Sequence, residues 1–227
     1  MNINGLQKLS LVDFDGHIAC TIFTGGCNFA CPFCHNSTLV ANKEDRIDED
    51  TILDFLKSRN GVLDSVVISG GEPTLNTDLP DFIKKIKALG FLVKLDTNGT
   101  NPQLLQYLID SNLVDYVAMD IKNGQTNYDV TCNAKVNFEF IKQSIKILIR
   151  SNIGYEFRTT LVKEFHNTND IIEIKNLISG ADKCYLQKYV PSTSCINSNL
   201  TEIDQETAQD FIKILKQSVK EVHLRGY

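Results

Sequence analysis

The sequence predicts an α/β fold, an open and partial (β/α)6 barrel, and three observations predict it. Short apolar runs such as Ser65-Val66-Val67-Ile68-Ser69 alternate with stretches whose apolar residues recur at helical spacing. Strand-then-helix alternation favours parallel strands joined by right-handed crossovers. About six such units are countable, fewer than the eight of a closed (β/α)8 barrel. The 227 residues are enough for one sizeable core, and no linker, internal repeat or low-complexity tract divides them. Residues 1–227 therefore read as one domain.

The elements follow in order. Ile18 to Phe23 is the first clear strand. Asp48-Glu49-Asp50 place acidic residues at a helix start, and Ile52, Phe55 and Leu56 form its apolar face. Ser65 to Ser69 is apolar enough for a buried strand. Gly70-Gly71-Glu72-Pro73 breaks it. Asp78 to Leu89 reads as a helix, with Phe82, Ile83, Ile86 and Leu89 inward and Gly90 as its stop. Phe91 to Leu95 is the next strand and runs into Asp96-Thr97-Asn98-Gly99. Leu104, Leu105 and Leu108 mark a helix that opens near Pro102. Asp115 to Met119 is a strand that ends in Asp120-Ile121-Lys122, and a long helix covers Val136 to Ser151 with Phe140, Ile141, Ile145 and Leu148 inward. Gly154 to Val162 is a strand, Asp170 to Ile178 a helix, Cys184 to Val190 a strand and Asp204 to Ser218 a helix. Val222 to Leu224 forms a short terminal strand. The segment Pro191 to Thr201, rich in Ser and Asn, is the expected mobile loop.

Composition narrows the class. Hydrophobic content of 42% and charged content of 22% suit a globular protein. A formal charge of -5 lacks the basic footprint of nucleic-acid binding. Met1 to Leu11 lacks the basic-then-apolar pattern of a signal peptide, and no run of about 18 apolar residues offers a membrane span. Seven cysteines, odd in number and unevenly clustered, fit a reducing cytoplasm.

The chemistry centres on Cys27-Asn28-Phe29-Ala30-Cys31-Pro32-Phe33-Cys34-His35-Asn36. Three thiolates from one loop satisfy three irons of a 4Fe–4S cubane and leave the fourth without a protein ligand. A structural zinc needs four ligands. Cys20 lies in an apparent strand and His35 is awkwardly adjacent to Cys34, so zinc ranks below the cluster. A disulfide leaves one of the three unpaired and ranks lower still. Four polar motifs follow strands immediately: the cysteine loop, Gly70–Pro73, Asp96–Asn98 and Asp120–Lys122. Strand C-terminal ends are where such barrels place their chemistry. Cys20, Cys132, Cys184 and Cys195 are isolated and read as small buried hydrophobes. His17, His166 and His223 carry no assignment.

At these residues the chain resembles the radical S-adenosylmethionine (SAM) enzymes. Cys27, Cys31 and Cys34, with Phe33 before the last cysteine, look like that superfamily's signature. His35-Asn36 narrows the resemblance to activases of glycyl radical enzymes. The stretch Ser10 to His17 and Gly25 to Phe29 is similar to the activating protein of anaerobic ribonucleoside-triphosphate reductase. The resemblance implies a partial (β/α)6 barrel of the radical SAM type, whose open side admits part of a large partner. It implies that Cys27, Cys31 and Cys34 hold the 4Fe–4S cluster and that Gly70, Gly71 and Glu72 hold the amino group of SAM. Lys122 would offset the SAM carboxylate, Arg158 would contact its ribose or carboxylate, and Phe33 and Asn36 would flank the adenosyl portion. Gln187 faces either the adenine or the barrel wall.

Asp96 and Asp120 end consecutive strands, and two close carboxylates need a proton or cation between them. By resemblance, Asp96, Thr97 and Asp120, with the Ala118 carbonyl, would hold a monovalent cation. Asp13 resembles the activase aspartate that orients the partner's glycine loop. Here Asp13-Phe14-Asp15-Gly16 departs from the usual Val-Asp-x-Pro-Gly, with Asp15 in place of proline.

The implied reaction is reductive cleavage of SAM, followed by removal of hydrogen from a glycine of a protein partner. No cysteine lies between Cys34 and Gly70, so the ferredoxin-like insert of larger activases is absent. Flavodoxin or ferredoxin is then the expected external electron donor. Three alternatives stand beside this one: a pyruvate formate-lyase-type activase, a small-molecule enzyme such as a deazaguanine synthase, and a non-catalytic zinc or iron–sulfur module. Asp-Thr tends to follow the last cysteine in deazaguanine synthases, where this chain has His35-Asn36.

Overall fold

The computed structural model describes residues 1–41 and 45–227. Its strands are β1 (Ile3–Ser10), β2 (Ala19–Thr24), β3 (Ser65–Gly70), β4 (Leu92–Thr97), β5 (Tyr116–Asp120), β6 (Gly154–Leu161), β7 (Lys183–Lys188) and β8 (Glu221–Arg225). Its helices are α1 (Ser37–Val40), α2 (Glu49–Ser58), α3 (Leu79–Ala88), α4 (Pro102–Asp110), α5 (Tyr128–Cys132), α6 (Phe138–Arg150), α7 (Thr168–Leu177) and α8 (Gln205–Leu215). The strands form one sheet in chain order, β1 to β8. β1 is antiparallel to β2, and every later neighbour is parallel. Each parallel step crosses over through helix, so β2 to β8 make six β/α units. β1 and β8 are not paired with one another, so the barrel is open.

Side chains alternate along each strand, and this divides the sheet into two faces. Val66, Ile68, Val93, Leu95, Val117, Met119 and Phe157 are fully buried in the main core with the helices. The opposite, concave face holds a small apolar floor of Phe14, Ala19 and Val67, with Leu92 and Tyr116 against it. Beyond that floor it becomes polar, which is what makes room for a site.

Local signals place the helix ends. The Asn101 side chain accepts from the Leu104 N–H at the start of α4, and Asn167 and Asp170 close a reciprocal cap on α7. Gly90, at a φ of 92°, ends α3 where the sequence placed its stop. Three elements escaped the sequence, the four-residue α1 after the cysteine loop among them. β1 carries little apolar content and has one exposed stretch, so only its pairing with β2 makes it a strand. α5 is a single short turn of helix closed by Asn133 in the left-handed conformation. Among the described residues no helix is long and apolar enough to cross a membrane.

The expected inward faces hold, except that Phe55, Leu89, Leu104 and Phe140 are half-buried, not buried. In α2, Ile52 and Leu56 face the core. Leu56→Ala should therefore cost about 2–4 kcal/mol, and Phe55→Ala about half of that or less. Chemical unfolding that showed the larger loss for Phe55→Ala would contradict this facing.

Candidate active site

A cavity of about 350 Å³ opens at the C-terminal ends of the parallel strands. Cys27, Cys31 and Cys34 line it from the loop after β2, together with Phe33 and Asn36. Gly70, Gly71 and Glu72 enter from β3 and the turn after it. Asp96 and Thr97 come from β4, Asp120 and Lys122 from β5 and its exit, Arg158 from β6 and Gln187 from β7. The sequence placed Asp96, Thr97 and Asp120 beyond their strands; they are the last residues within them. Asp13 does not line the cavity. It sits before β2, half-buried, where its Oδ2 accepts from the Thr21 hydroxyl at 2.6 Å.

The cysteine loop is irregular backbone, yet it is anchored along its length. The Gly26 carbonyl accepts from Glu72 N–H at 2.8 Å, and Ala30 N–H donates to the Cys132 carbonyl at 3.0 Å. On the far side, Asn197 N–H donates to the Pro32 carbonyl at 2.7 Å and Ile196 N–H to the Cys34 carbonyl at 3.3 Å. His35 Nε2 contacts the Val190 carbonyl at 2.8 Å. The segment 191–201, expected to be mobile, thus straps the cysteine loop. All seven cysteines are free thiols. Burial pushes the Cys27 thiol up to about 12 and raises Cys34 as well. Cys31 is lowered, first by a hydrogen bond from the Cys132 thiol and then, against its burial, by the charge of Lys122. Cys132, isolated in the sequence, is brought beside Cys31 by α5, but it does not line the cavity. Among the described residues no three His, Cys, Asp or Glu side chains form a group able to hold a single metal ion.

The glycine turn packs directly on that loop. A Cβ at Gly71 would stand 2.0 Å from the Gly26 carbonyl oxygen, and one at Gly70 would stand 2.3 Å from Thr24 N. Gly70 also has a φ of 120°, which L side chains rarely adopt. Glu72 lines the cavity but is 1% exposed, so its carboxylate is largely enclosed by neighbouring donors. Oε1 accepts from Thr74 N–H at 3.0 Å, the Thr74 hydroxyl at 2.5 Å and the Thr97 hydroxyl at 2.8 Å. Oε2 accepts from Asn98 N–H at 2.6 Å. Burial raises the Glu72 carboxyl against the pull of these donors. The side chain therefore ties the turn after β3 to the end of β4, while the residue's main-chain N–H ties that turn to the cysteine loop. Thr74 and Asn98 are the partners that sequence reasoning did not single out. Their signal was present in the short motifs Glu72-Pro73-Thr74 and Thr97-Asn98, but only contact across the sheet joins them.

A charge array occupies the other wall. Arg158 Nε donates to Asp120 Oδ1 at 2.8 Å, and its Nη1 is 3.3 Å from Asp96 Oδ2. Lys122 Nζ donates to Asp120 Oδ2 at 2.9 Å. The guanidinium thus bridges the two carboxylates between which the sequence placed a monovalent cation, and Thr97, the third expected ligand, is committed to Glu72. Burial would raise the Asp120 carboxyl, but Arg158 and Lys122 overcome it and hold it down to about 2. His166, unassigned in the sequence, is lowered by burial and stays neutral. In that state Nδ1 accepts from Val162 N–H at 3.1 Å, and Nε2–H donates to the Lys122 carbonyl at 2.9 Å, which fixes the lysine's backbone. Asp96 Oδ1 is buried without a hydrogen-bond partner.

Two tests address this geometry. Gly71→Ala must drive the glycine turn off the Gly26 carbonyl, at a cost of about 1–3 kcal/mol or more in denaturant unfolding. An unchanged midpoint would mean the two loops are not in contact. Asp120→Asn leaves two part-buried cations short of a partner and should cost about 2–4 kcal/mol near neutral pH. The carboxylate's contribution is complete above its unfolded value of about 3.9 and is lost as pH falls through about 2. The gap between native and variant chains should narrow over that interval, and a gap that widens there would refute the pairing.

The sequence profile of the Radical SAM superfamily matches residues 21–178. The chain is similar to two Methanocaldococcus jannaschii proteins provisionally named glycyl-radical enzyme activating enzymes. The first is 34% identical, over 83% of this chain and 80% of the relative. The second is 31% identical, over 90% and 76%. A radical SAM methyltransferase from Sphaerobacter thermophilus shares the fold with a TM-score of 0.71 over 94% of this chain and 68% of that one, at 14% identity. A domain of a pyruvate-formate lyase-activating enzyme from Bacteroides vulgatus does so at 0.55, over 71% of this chain and 99% of that domain, at 18% identity. With its profile match across the cysteine loop and most of the barrel, the chain belongs to the radical SAM superfamily, enzymes that work with a 4Fe–4S cluster and SAM.

Proposed function

We propose that this enzyme is a glycyl-radical-enzyme activase whose partner is anaerobic ribonucleoside-triphosphate reductase. One observation carries the activity: among the described residues, three thiols of a single loop and no other cysteine share a cavity with a glycine turn and two part-buried cations, Lys122 and Arg158. The names of the two Methanocaldococcus jannaschii relatives support the activase class. The stretch from Ser10 to His17 and the run Gly25 to Phe29 support the choice of partner.

The residues present suit the two cofactors. Cys27, Cys31 and Cys34 would hold the cluster, since their sulfurs are the donors iron takes and one loop carries all three. Gly70 and Gly71 line the cavity, and their lack of side chains lets the turn pack on the backbone of Thr24 and Gly26, which would hold its main chain beside the cysteine loop to receive an ammonium group. Bound there, the cluster and SAM supply a one-electron cleavage of a carbon–sulfur bond and a hydrogen-abstracting species.

Everything else falls to this chain's own residues. Glu72 holds the glycine turn at a fixed height, and its Oε2, which accepts one bond, retains capacity for the ammonium. Lys122 and Arg158 attract a ligand carboxylate, while Asp120 keeps both cations in place. Arg158 supplies the positive charge between Asp96 and Asp120, a position that the sequence assigned to a cation. Phe33, 4% exposed with its ring 6.0 Å from Lys122 Nζ, offers an apolar surface for the adenosyl portion beside Asn36. Asp13 would orient the partner's glycine segment at the concave face. Flavodoxin or ferredoxin would deliver the electron from outside.

Anaerobic reconstitution tests this. The native chain should hold about four irons and four sulfides, and Cys27→Ser should lose most of them. With a reductant, SAM and purified anaerobic ribonucleoside-triphosphate reductase, a glycyl doublet should appear in electron paramagnetic resonance. A doublet only on pyruvate formate-lyase would move the assignment to that activase class. SAM consumption with no glycyl radical on any candidate would end the activase reading. Glu72→Gln sets an amide N–H against Asn98 N–H and should weaken SAM binding by about tenfold or more. Equal binding by calorimetry would remove Glu72 from the site.

A further inference from the structure

Below the cavity, at the N-terminal ends of the strands, the segment 11–17 crosses the concave face of the sheet. It has no helix or strand of its own. Its Phe14 is buried on the floor beside Tyr116, with ring centroids 5.4 Å apart. Leu11 and Val12 point outward, 66% and 75% exposed. The sheet holds this segment through the Thr21 hydroxyl on the Asp13 side chain, through Arg225 and Tyr185 on Asp15, and through one unusual side chain, Lys94 of β4, on its backbone.

Lys94 is 4% exposed, in a position where the neighbouring side chains on that floor are apolar. Its Nζ donates to the Asp13 main-chain carbonyl at 2.5 Å. Two carboxylates lie near but beyond hydrogen-bond range, Glu156 at 3.8 Å and Asp96 at 4.0 Å. The rings of Tyr116 and Phe14 lie 5.5 and 5.8 Å from the ammonium and confine it. Its one short bond is therefore to the backbone of the crossing segment. A buried ammonium is costly, and an apolar side chain would fill such a floor more cheaply. Its surroundings aim it at a single carbonyl. Two residues along the same strand and on the same face, Asp96 meets Arg158 at the cavity wall. One strand thus carries both the anchor of the segment and a wall of the cavity.

We propose that Lys94 is a positioning residue whose ammonium holds the segment 11–17 at a fixed depth and so sets where Asp13 meets the partner's glycine backbone. The proposal rests on the activase reading for what arrives at Asp13. Thr21 occupies Asp13 Oδ2, and among the described residues no donor bonds Oδ1, so that oxygen is left for an incoming backbone N–H. Lys94 acts through Asp13 and touches no reacting atom.

Three variants test it: Lys94→Met, Lys94→Arg, and Lys94→Met with Glu156→Gln, the last removing the charge of the nearest carboxylate to Lys94, which otherwise keeps Arg225 and Tyr116 as partners. Hydrogen exchange on the cluster-free chain reads the anchor without any partner. Amides of 10–17 should exchange about tenfold or more faster in both Met variants, with helix amides unchanged and the Arg variant close to native. Exchange equal to native in both Met variants overturns the proposal, as does loosening spread over the whole chain. On the reconstituted enzyme with anaerobic ribonucleoside-triphosphate reductase, SAM affinity should stay within about twofold. The yield of 5′-deoxyadenosine per glycyl radical should rise about tenfold, because SAM is cleaved without a glycine in reach. A native yield ratio, or SAM affinity lost in step with radical yield, overturns the positioning role. A native enzyme that cleaves SAM but radicalises no partner overturns the activase reading, and the exchange result still judges the Lys94 anchor.

Discussion

The buried carboxylate of Glu72 is the interaction on which the site depends. One side chain takes four hydrogen bonds from Thr74, Thr97 and Asn98, and its own N–H donates to the carbonyl of Gly26. It therefore joins the exits of β2, β3 and β4 at one point. A carboxylate at 1% exposure is expensive to bury unless its lone pairs are filled, and here the filling groups come from two separate stretches of chain, at Thr74 and at Thr97-Asn98. The cysteine loop has no regular structure of its own, so its shape is inherited from this junction and from the strap of residues 191–201. The absence of side chains at Gly70 and Gly71 matters for the same reason. Two backbone segments meet there at a distance that no Cβ permits.

The concave face shows how a radical enzyme's barrel differs from a packed one. A closed barrel fills its interior with branched apolar side chains. Here apolar residues stop at a thin floor, and above it stand Lys94, Glu156, Asp96, Arg158, Asp120 and Lys122, each beside an opposite charge. Such an array keeps its geometry because every charge depends on a neighbour that is itself held. It is also electrically balanced, with Lys94, Arg158 and Lys122 set against Glu156, Asp96 and Asp120. Arg158 is central: it joins β4, β5 and β6 through two carboxylates at the level where the cavity begins.

Much of this was legible in one dimension. The strand and helix sequence, the C-x3-C-x2-C loop, the glycine turn and the positions of Asp96, Asp120, Lys122 and Arg158 all stand out by residue type and spacing. Local rules carry these signals, because periodicity, capping and glycine placement act over a few residues. The misses share a different origin. β1 is a strand only because β2 lies beside it, and Cys132 reaches Cys31 only because α5 folds back under the loop. His166 steadies Lys122 from 44 residues away, and Lys94 looks like an ordinary strand lysine until the segment 11–17 covers it.

The sequence by itself determined the fold class, the family signature and which residues are available for chemistry, since those depend on composition and short-range pattern. Tertiary structure alone decided how they are used. It turned Glu72 from an open acceptor into a strut, set Arg158 between two aspartates, and gave the loop after residue 190 a partner in the cysteine loop. The reason is that a buried polar group takes its role from whichever donors and acceptors the fold places within about 3 Å of it. That placement is a property of strand order and register, and neither is written at any single position of the chain.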